Sequence, residues 1–128
     1  MSLVGIAGKK GAGKDTVAHI IKKHLPRMQL IAYADKLKEA TALLSGIPLE
    51  VFYDHHQKEK PRVGHLITPR MYMTAMHDAL VPVFGEGVFV RLVRQQYQPG
   101  NGGMIVTDVR YDGRETDWIR EAGGVILH

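Results

Sequence analysis

The stretch GIAGKKGAGKDT, residues 5–16, decides how the rest of the chain is interpreted. It overlaps a short apolar run at residues 3–7 that predicts a buried strand, and it leads into a helical pattern that begins near Lys14. Gly8, followed by four residues and then by Gly13 and Lys14, has the spacing of a phosphate-binding loop. Such a loop needs a strand before it and a helix after it, and the sequence predicts both.

The loop has the residue types that contact a phosphate. Its glycines let the backbone turn tightly, so that successive N–H groups point at one phosphate. The following helix adds the positive end of its dipole, and Lys14 adds a charge for the β and γ phosphates. The predicted phosphate-contacting residues are Gly8, Lys9, Lys10, Gly11, Ala12, Gly13, Lys14, Asp15 and Thr16. The alternative is a glycine-rich turn with solvated lysines.

Two carboxylates are candidate magnesium ligands. Asp15 stands where a Ser or Thr hydroxyl usually holds the metal, and Mg²⁺ accepts a carboxylate oxygen in its place, directly or through water. Thr16 still offers a hydroxyl to a phosphate oxygen. Asp108 closes the apolar run MIVT and is expected beside the loop in a parallel sheet, where it could also hold Mg²⁺. The alternatives are a first-turn helix acid for Asp15 and a turn cap for Asp108.

Strand and helix patterns alternate along the chain, which predicts an α/β fold with a parallel sheet and a ligand at the carboxyl ends of its strands. Strands are predicted at residues 3–7, 28–32, 104–108 and 125–128, and helices at 14–25, 35–46, 48–56, 69–83, 88–96 and 112–122. The residues expected to face the core from the first two helices are Val17, Ile20, Ile21, Leu25, Leu37, Ala40 and Leu44. Thr68 is expected to cap the fourth helix, and Asp112 with Glu115 to form a capping box for the last.

Composition narrows the class of protein. A chain of 128 residues with 45% apolar and 23% charged residues is typical of one globular domain. The absence of cysteine excludes disulfides and thiolate metal sites and suits a cytoplasmic protein. No apolar run is long enough to span a bilayer, so a membrane is not an expected partner. The net charge of +4 fits a site for phosphorylated metabolites, and without a basic stripe carrying aromatics nucleic acid is not expected either.

Arg70 is the first candidate for binding a second substrate. It lies in the first turn of the helix that Thr68 and Pro69 begin, where a cation is disfavoured by the positive end of the helix dipole. A bound anion would reverse that penalty, because the guanidinium fork matches a phosphate. The alternative is a solvated arginine.

Three further residues are expected at the same edge of the sheet. Arg110 follows Asp108 by two positions, and its alternative is a salt bridge to Asp108 or Asp112. Asp35 and Lys38 begin the helix after the second strand, with a helix cap and a solvated charge as their alternatives.

Four segments, in order, resemble the deoxynucleoside monophosphate kinases of bacteriophages and bacteria: GKKGAGKDT at 8–16, YADKLKE at 33–39, ITPR at 67–70 and VTDVRYDGRETDWIREAGGVI at 106–126. The resemblance covers essentially the whole chain. It implies a P-loop NTPase-type parallel sheet flanked by helices, and a cytoplasmic enzyme that transfers the γ-phosphate of ATP to a deoxynucleoside 5′-monophosphate with Mg²⁺. It also implies a single P-loop kinase domain over 1–128, with residues 48–97 as a helical monophosphate-binding insertion.

The resemblance gives these residues roles. Lys14, Asp15 and Thr16 match the ATP-phosphate loop, Arg70 matches the arginine of the monophosphate-binding region, and Asp108 with Arg110 matches the DVR block. The expected catalytic residues are therefore Lys14, Asp15, Arg70 and Asp108, with Asp15 and Asp108 as metal ligands. The expected substrate-binding residues are Asp35, Lys38, Arg70 and Arg110.

The sequence departs from the family at one point. Relatives continue past the strand that matches GGVILH into a lid-like segment and a last strand and helix, so the chain is expected to lack the C-terminal lid and last strand. The alternatives are another small-molecule P-loop kinase, of the dephospho-coenzyme A or phosphomevalonate type, or a truncated nucleotide-binding module without turnover. A DNA-associated ATPase is a further alternative, suggested only by the net charge, and a homodimer is left open.

Overall fold

The structure, a computed structural model, describes residues 3–8, 13–100, 102–110 and 113–128. The chain divides into two compact units, one formed by residues 1–33 with 90–128 and the other by residues 34–89. The helices are α1 (Lys14–His24), α2 (Tyr33–Ser45), α3 (Leu49–Tyr53), α4 (Pro69–Phe84), α5 (Val88–Gln96) and α6 (Gly113–Glu121). The strands are β1 (Leu3–Ala7), β2 (Gln29–Ile31), β3 (Met104–Val109) and β4 (Val125–Leu127).

The four strands form one parallel sheet in the order β2-β3-β1-β4, which confirms the α/β class and the parallel sheet. All five residues of β1 are buried, because the central strands are covered on both faces. β1 lies between β3 and β4, and its last residue, Ala7, is paired with Val109 of β3. Gly8, which follows β1, and the residues at the end of β3 therefore lie at the same edge of the sheet.

Helix α1 covers one face of this sheet. Ala18 packs with Val4, Ile6 and Ile105 in the core, and Ile21 packs against the same cluster. The prediction for the other apolar residues of this helix was wrong: Val17, Ile20 and Leu25 are 39%, 53% and 43% exposed. The stripe of α1 that meets the sheet is therefore narrower than the predicted one and is formed by Ala18 and Ile21.

Helix α6 covers the opposite face. Its Ile119 lies over two glycines: a Cβ on Gly5 would be 2.9 Å from Ile119 Cδ1, and a Cβ on Gly124 would be 2.8 Å from Ile119 Cγ2. Successive residues of a strand face opposite sides of the sheet. Val4 and Ile6 face α1, so Gly5 faces the side that α1 does not cover. Trp118 and Ile119 of this helix are buried, whereas Ala122 lies beyond the helix and is exposed.

The two adjacent central strands thus lead to helices on opposite faces. α1 follows β1, and α6 follows β3. Where neighbouring parallel strands send their connections to opposite sides, a crevice opens at their carboxyl ends, and ligands of open α/β sheets bind there.

The unit of residues 34–89 is helical. Its core is formed by Ile47, Val51 and Phe52, with Tyr72 and Met73 of α4 packed against it. The predicted start of α4 is confirmed, because the Thr68 hydroxyl accepts a hydrogen bond from the Met71 N–H at 3.1 Å. No helix in the described part of the chain has the length and apolar character needed to cross a membrane.

The predicted inward faces of this unit were partly wrong. Leu44 is 71% exposed, and the residue of α2 that is buried within this unit is Thr41, whose hydroxyl donates to the Leu37 carbonyl at 2.7 Å. That local bond satisfies the hydroxyl and lets a threonine take a core position.

Candidate functional site

The loop between β1 and α1 is described at its two ends. Gly8 has φ 150° and Gly13 has φ 80°, conformations that favour glycine. Gly13 is the N-cap of α1, and its carbonyl accepts the Val17 N–H at 3.1 Å. Because a glycine cap has no side chain, it leaves the first N–H groups of the helix without a capping partner from that residue. Lys9, Lys10, Gly11 and Ala12 lie outside the described residues.

Three predicted residues begin α1. Lys14 is its first residue and is partly buried, whereas Asp15 and Thr16 are exposed. The first turn therefore presents one ammonium, one carboxylate and one hydroxyl, beside main-chain N–H groups at the positive end of the helix. This arrangement can bind an anion, and the carboxylate can bind a cation that accompanies it.

Asp108 is held at the same edge by a backbone group. Its Oδ1 accepts the N–H of Tyr33 at 2.7 Å, and the carboxylate is partly buried. Tyr33 is the first residue of α2 and follows β2, the other neighbour of β3. The bond therefore ties the carboxylate to the backbone that leaves the adjacent strand, and it fixes the direction of the carboxylate at the edge where β1 also ends.

The side chain of Tyr33 links this edge to α6. Its hydroxyl donates to the Glu115 carbonyl at 2.8 Å and accepts a hydrogen bond from Trp118 Nε1 at 2.9 Å. Burial is the main cause that raises the pKa of Tyr33 above the usual value of about 10, and the carboxylates of Glu115 and Asp108 raise it further against the opposing bond from Trp118. The phenol is thus neutral and acts as a fixed hydrogen-bonding group.

Arg110 is positioned through its backbone. Its N–H donates to Glu115 Oε1 at 3.1 Å, and its side chain is exposed. The expected capping box pairs Glu115 with Asp112, which lies outside the described residues. The Glu115 carboxylate holds the segment that follows β3, so Tyr33 and Glu115 together position the residues on both sides of Val109.

Asp35 and Lys38 are both placed against Tyr53 in the helical unit. The Tyr53 hydroxyl donates to Asp35 Oδ1 at 2.5 Å, and Lys38 Nζ lies 4.2 Å from the centroid of the Tyr53 ring. A cation over an aromatic face is attracted to it. The two predicted substrate-binding residues of α2 thus meet on one aromatic side chain.

Arg70 forms an ion pair that the sequence did not predict. Its Nε donates to Glu59 Oε1, and the two side chains are 49% and 51% exposed. Glu59 ends a short 3₁₀ turn, Gln57–Glu59. A shallow cavity of about 240 Å³ lies beside the same arginine, lined by Leu37, Arg70, Met73, Thr74 and His77. This cavity combines two apolar walls with one cation and two polar side chains.

Sequence reasoning missed Tyr33, Tyr53 and Glu59 as members of these sites. Glu59 had a detectable signal, because it is the single acid in a basic segment. Tyr33 had none, since its partners lie 75 to 85 residues away along the chain.

Comparison with models of protein families, with curated proteins and with solved structures finds no match for this chain. Among the side chains that the structure describes, no group of three histidine or acidic residues is placed to hold a metal ion. A function for this chain must therefore be inferred from the geometry of these sites.

Proposed function

We propose that the chain is a P-loop kinase that transfers the γ-phosphate of ATP to a deoxynucleoside 5′-monophosphate with Mg²⁺. One observation carries the proposal. The adjacent strands β1 and β3 send their connections to opposite faces of a parallel sheet, and they bring Gly8, the start of α1 with Lys14, and the carboxylate of Asp108 to one edge. This is the position at which open α/β sheets bind ligands.

The donor side of the reaction is assigned to the start of α1. Lys14 would neutralise the β and γ phosphates, and the first N–H groups of the helix would bind phosphate oxygens. The left-handed conformation of Gly13 supports this role, since it turns the chain directly into the helix. Thr16 would add a hydroxyl donor.

Mg²⁺ fits the carboxylates at this edge. Protein sites for this ion commonly use one or two carboxylates and complete the coordination with water and substrate phosphates, so a cluster of three protein ligands is not required. Asp108 would hold the ion with the orientation that the Tyr33 N–H gives its carboxylate, and Asp15 would approach from α1. The metal would neutralise charge that develops on the transferred phosphoryl group.

The acceptor is assigned to the helical unit. Arg70 would bind the phosphate of the monophosphate, and the apolar walls Leu37 and Met73 of the adjoining cavity would contact the nucleoside. Asp35 and Lys38, both held against Tyr53, supply a hydrogen-bond acceptor and a cation to the same substrate.

The chain's residues would act by alignment and charge neutralisation. A phosphate oxygen of the acceptor forms a bond to the γ-phosphorus, and the bond from that phosphorus to ADP breaks. This step requires no nucleophile from the protein, and alignment with charge neutralisation supplies most of the catalysis.

The test is ADP formation from ATP and Mg²⁺ with each deoxynucleoside monophosphate in turn, beside equilibrium binding of ATP. Stimulation by one or more of these acceptors supports the proposal. ATP binding without turnover contradicts it and favours a binding module. Stimulation by dephospho-coenzyme A or phosphomevalonate alone contradicts the acceptor class while leaving the donor site intact.

A further inference from the structure

Glu59 lies in an unusually basic segment. Residues 57–70 contain four lysines and arginines (Lys58, Lys60, Arg62 and Arg70) and this one acid, a balance of 4 − 1 = +3. Its carboxylate is paired with Arg70, the residue whose position at the start of α4 most favours a bound anion. The anion that contacts Arg70 in this structure is thus the carboxylate of Glu59, a residue of the same chain.

We propose that Glu59 is an internal competitor for the anion that Arg70 binds, so that its carboxylate lowers the affinity of this site for a phosphate monoester. The inference rests on the proposed role of Arg70 in binding the acceptor and adds the residue that limits its affinity. An incoming anion must either displace the Glu59 carboxylate or bind beside its negative charge. In the first case it must break the ion pair, and in the second it is repelled by the carboxylate.

Displacement of Glu59 requires only a side-chain rotation. The turn that carries it is anchored by Asp54, whose Oδ1 accepts the N–H groups of His56 and Gln57 at 2.9 and 3.0 Å. The turn that carries Arg70 is anchored by Thr68 through its bond from Met71. Both backbones are therefore held independently of the ion pair, which joins them only through side-chain atoms.

The competition is expected to be weak enough to be reversible. Both partners are about half exposed, and exposed ion pairs change an equilibrium by less than about fivefold. A released Glu59 carboxylate also remains between Lys58 and Lys60, its neighbours in the chain. A phosphate dianion, which carries more charge than the carboxylate, can thus replace it at Arg70.

The test uses methyl phosphate, which is dianionic at pH 8. It is titrated into the full chain while the N–H resonances of Arg70 Nε and of the Met71 backbone are followed. Methyl phosphate should bind to the wild type. Glu59→Gln, which keeps the size of the side chain and removes its charge, should tighten methyl phosphate binding by about two- to fivefold. Arg70→Ala should abolish the response of Met71.

Glu39→Gln is the matched control. It removes a carboxylate that is also about half exposed, that of the pair Lys36–Glu39 at 3.4 Å in the same unit, and it changes the net charge by the same amount. Its affinity for methyl phosphate should equal that of the wild type. Equal tightening in both variants would mean that the effect comes from net charge, and it would overturn the proposal.

Two further results would overturn it. Unchanged affinity in Glu59→Gln would show that the carboxylate does not compete, and weaker affinity would show that it orients Arg70 for the ligand. Binding and turnover are measured separately, so the two proposals fail separately. If Glu59→Gln tightens methyl phosphate binding but no ADP forms, the anion site is supported and the kinase proposal is rejected. If ADP forms but Glu59→Gln does not tighten binding, only the proposed role of Glu59 is rejected.

Discussion

Asp108 and Arg70 are both charged residues at the end of a secondary-structure element, but the protein holds them in different ways. Asp108 is partly buried in the second-last position of a central strand, and a backbone N–H from the neighbouring chain segment fixes its carboxylate. Arg70 is half exposed in the first turn of α4 and is paired with one side chain. The first site is part of the sheet framework, whereas the second depends on a removable partner.

The difference shows which charged groups the main chain holds rigidly and which it does not. The proposed binding of metal and triphosphate requires fixed positions, and a group held by the main chain of a parallel sheet supplies one. The proposed acceptor site must exchange ligands, and an exposed arginine whose partner is another side chain can do so at little cost. The framework residues should therefore control turnover and folding, while the exchangeable pair should control affinity for the acceptor.

The largest effect is expected at the sheet edge. Lys14→Ala should lower the turnover number by about 10²–10³-fold and weaken ATP binding, because it removes a positive charge from the proposed phosphate site. The fold should be intact, since Lys14 is only partly buried. Steady-state kinetics and ATP binding measure this, with Lys23→Ala in the last turn of the same helix as the control. Unchanged ATP affinity in a folded Lys14→Ala protein would remove the donor site from α1.

Arg70→Ala tests the exchangeable pair of Arg70 and Glu59. It should raise the Michaelis constant for the monophosphate roughly ten- to a hundredfold through the loss of a charge-assisted contact, and leave that for ATP nearly unchanged. Arg70→Lys should restore part of the loss, because an ammonium lacks the planar fork. Equal changes in both Michaelis constants would show that Arg70 does not distinguish the two substrates.

Gly124→Ala tests how rigidly α6 is seated on the sheet. The added Cβ would meet the Leu3 carbonyl oxygen at 2.8 Å and Ile119 at 2.8 and 2.9 Å, and the main-chain oxygen cannot move aside easily. The free energy of unfolding should fall by about 1–3 kcal/mol. Denaturant unfolding measures this. Gly100→Ala is the control, since its Cβ would meet nothing within 4 Å. A loss of the same size in Gly100→Ala would assign the effect to the loss of glycine itself.

The two carboxylates at the sheet edge should respond unequally. Asp108→Asn should raise the Mg²⁺ concentration that half-saturates activity by about tenfold, the size of effect typical of residues around a metal. Asp15→Asn should have a smaller effect, because Asp15 is exposed. A magnesium titration of each variant measures this difference. Asp78→Asn, in the helical unit, is the control. A titration of Asp15→Asn that superimposes on the wild type identifies Asp15 as a helix-start acid.

The smallest effect concerns the phenol of Tyr33 and its dependence on pH. Tyr33→Phe should lower the free energy of unfolding by about 1 kcal/mol at pH 8, where the hydroxyl of the wild type is neutral and hydrogen-bonded. The pKa of Tyr33 is raised in the folded protein, so the unfolded state loses this proton first as the pH rises above about 10. The stability of the wild type should then fall more steeply than that of Tyr33→Phe, and the difference should narrow.

Denaturant unfolding between pH 8 and pH 11 measures both effects. Tyr53→Phe provides the comparison, because its hydroxyl also donates to a neighbouring residue but is exposed. A constant difference between wild type and Tyr33→Phe across this range would show that the raised pKa contributes nothing to stability.

The sheet was predictable from the sequence because its central strands are continuous apolar runs. LVGIA forms β1 as expected, and MIVTD forms β3 with one further residue, Val109. The beginning of α4 was predictable for a local reason, since Thr68 caps a helix whose N–H groups lie within three residues of it. Both the burial of whole strands and the bonds between near neighbours can be predicted from the order of residues in the sequence.

The inward faces of helices and the partners of the site residues were not predictable in this way. Val17 and Leu44 are apolar and helically spaced, but which stripe of a helix meets its neighbour depends on how closely the backbones approach. The bonds of Tyr33 to Asp108, Glu115 and Trp118 join residues 75 to 85 positions apart. Such contacts follow from the order of strands in the sheet, which a single sequence does not specify.

The indole of Trp118 gives this protein an intrinsic optical probe. It is the single tryptophan of the chain, it is 4% exposed, and its N–H donates to the hydroxyl of Tyr33. The backbone N–H of Tyr33 in turn donates to Asp108, so a single residue, Tyr33, links the indole to the proposed metal ligand. Emission from the folded chain should be blue-shifted relative to the unfolded chain. A change in its intensity when Mg²⁺ and ATP are added would report occupancy of the sheet edge without any label.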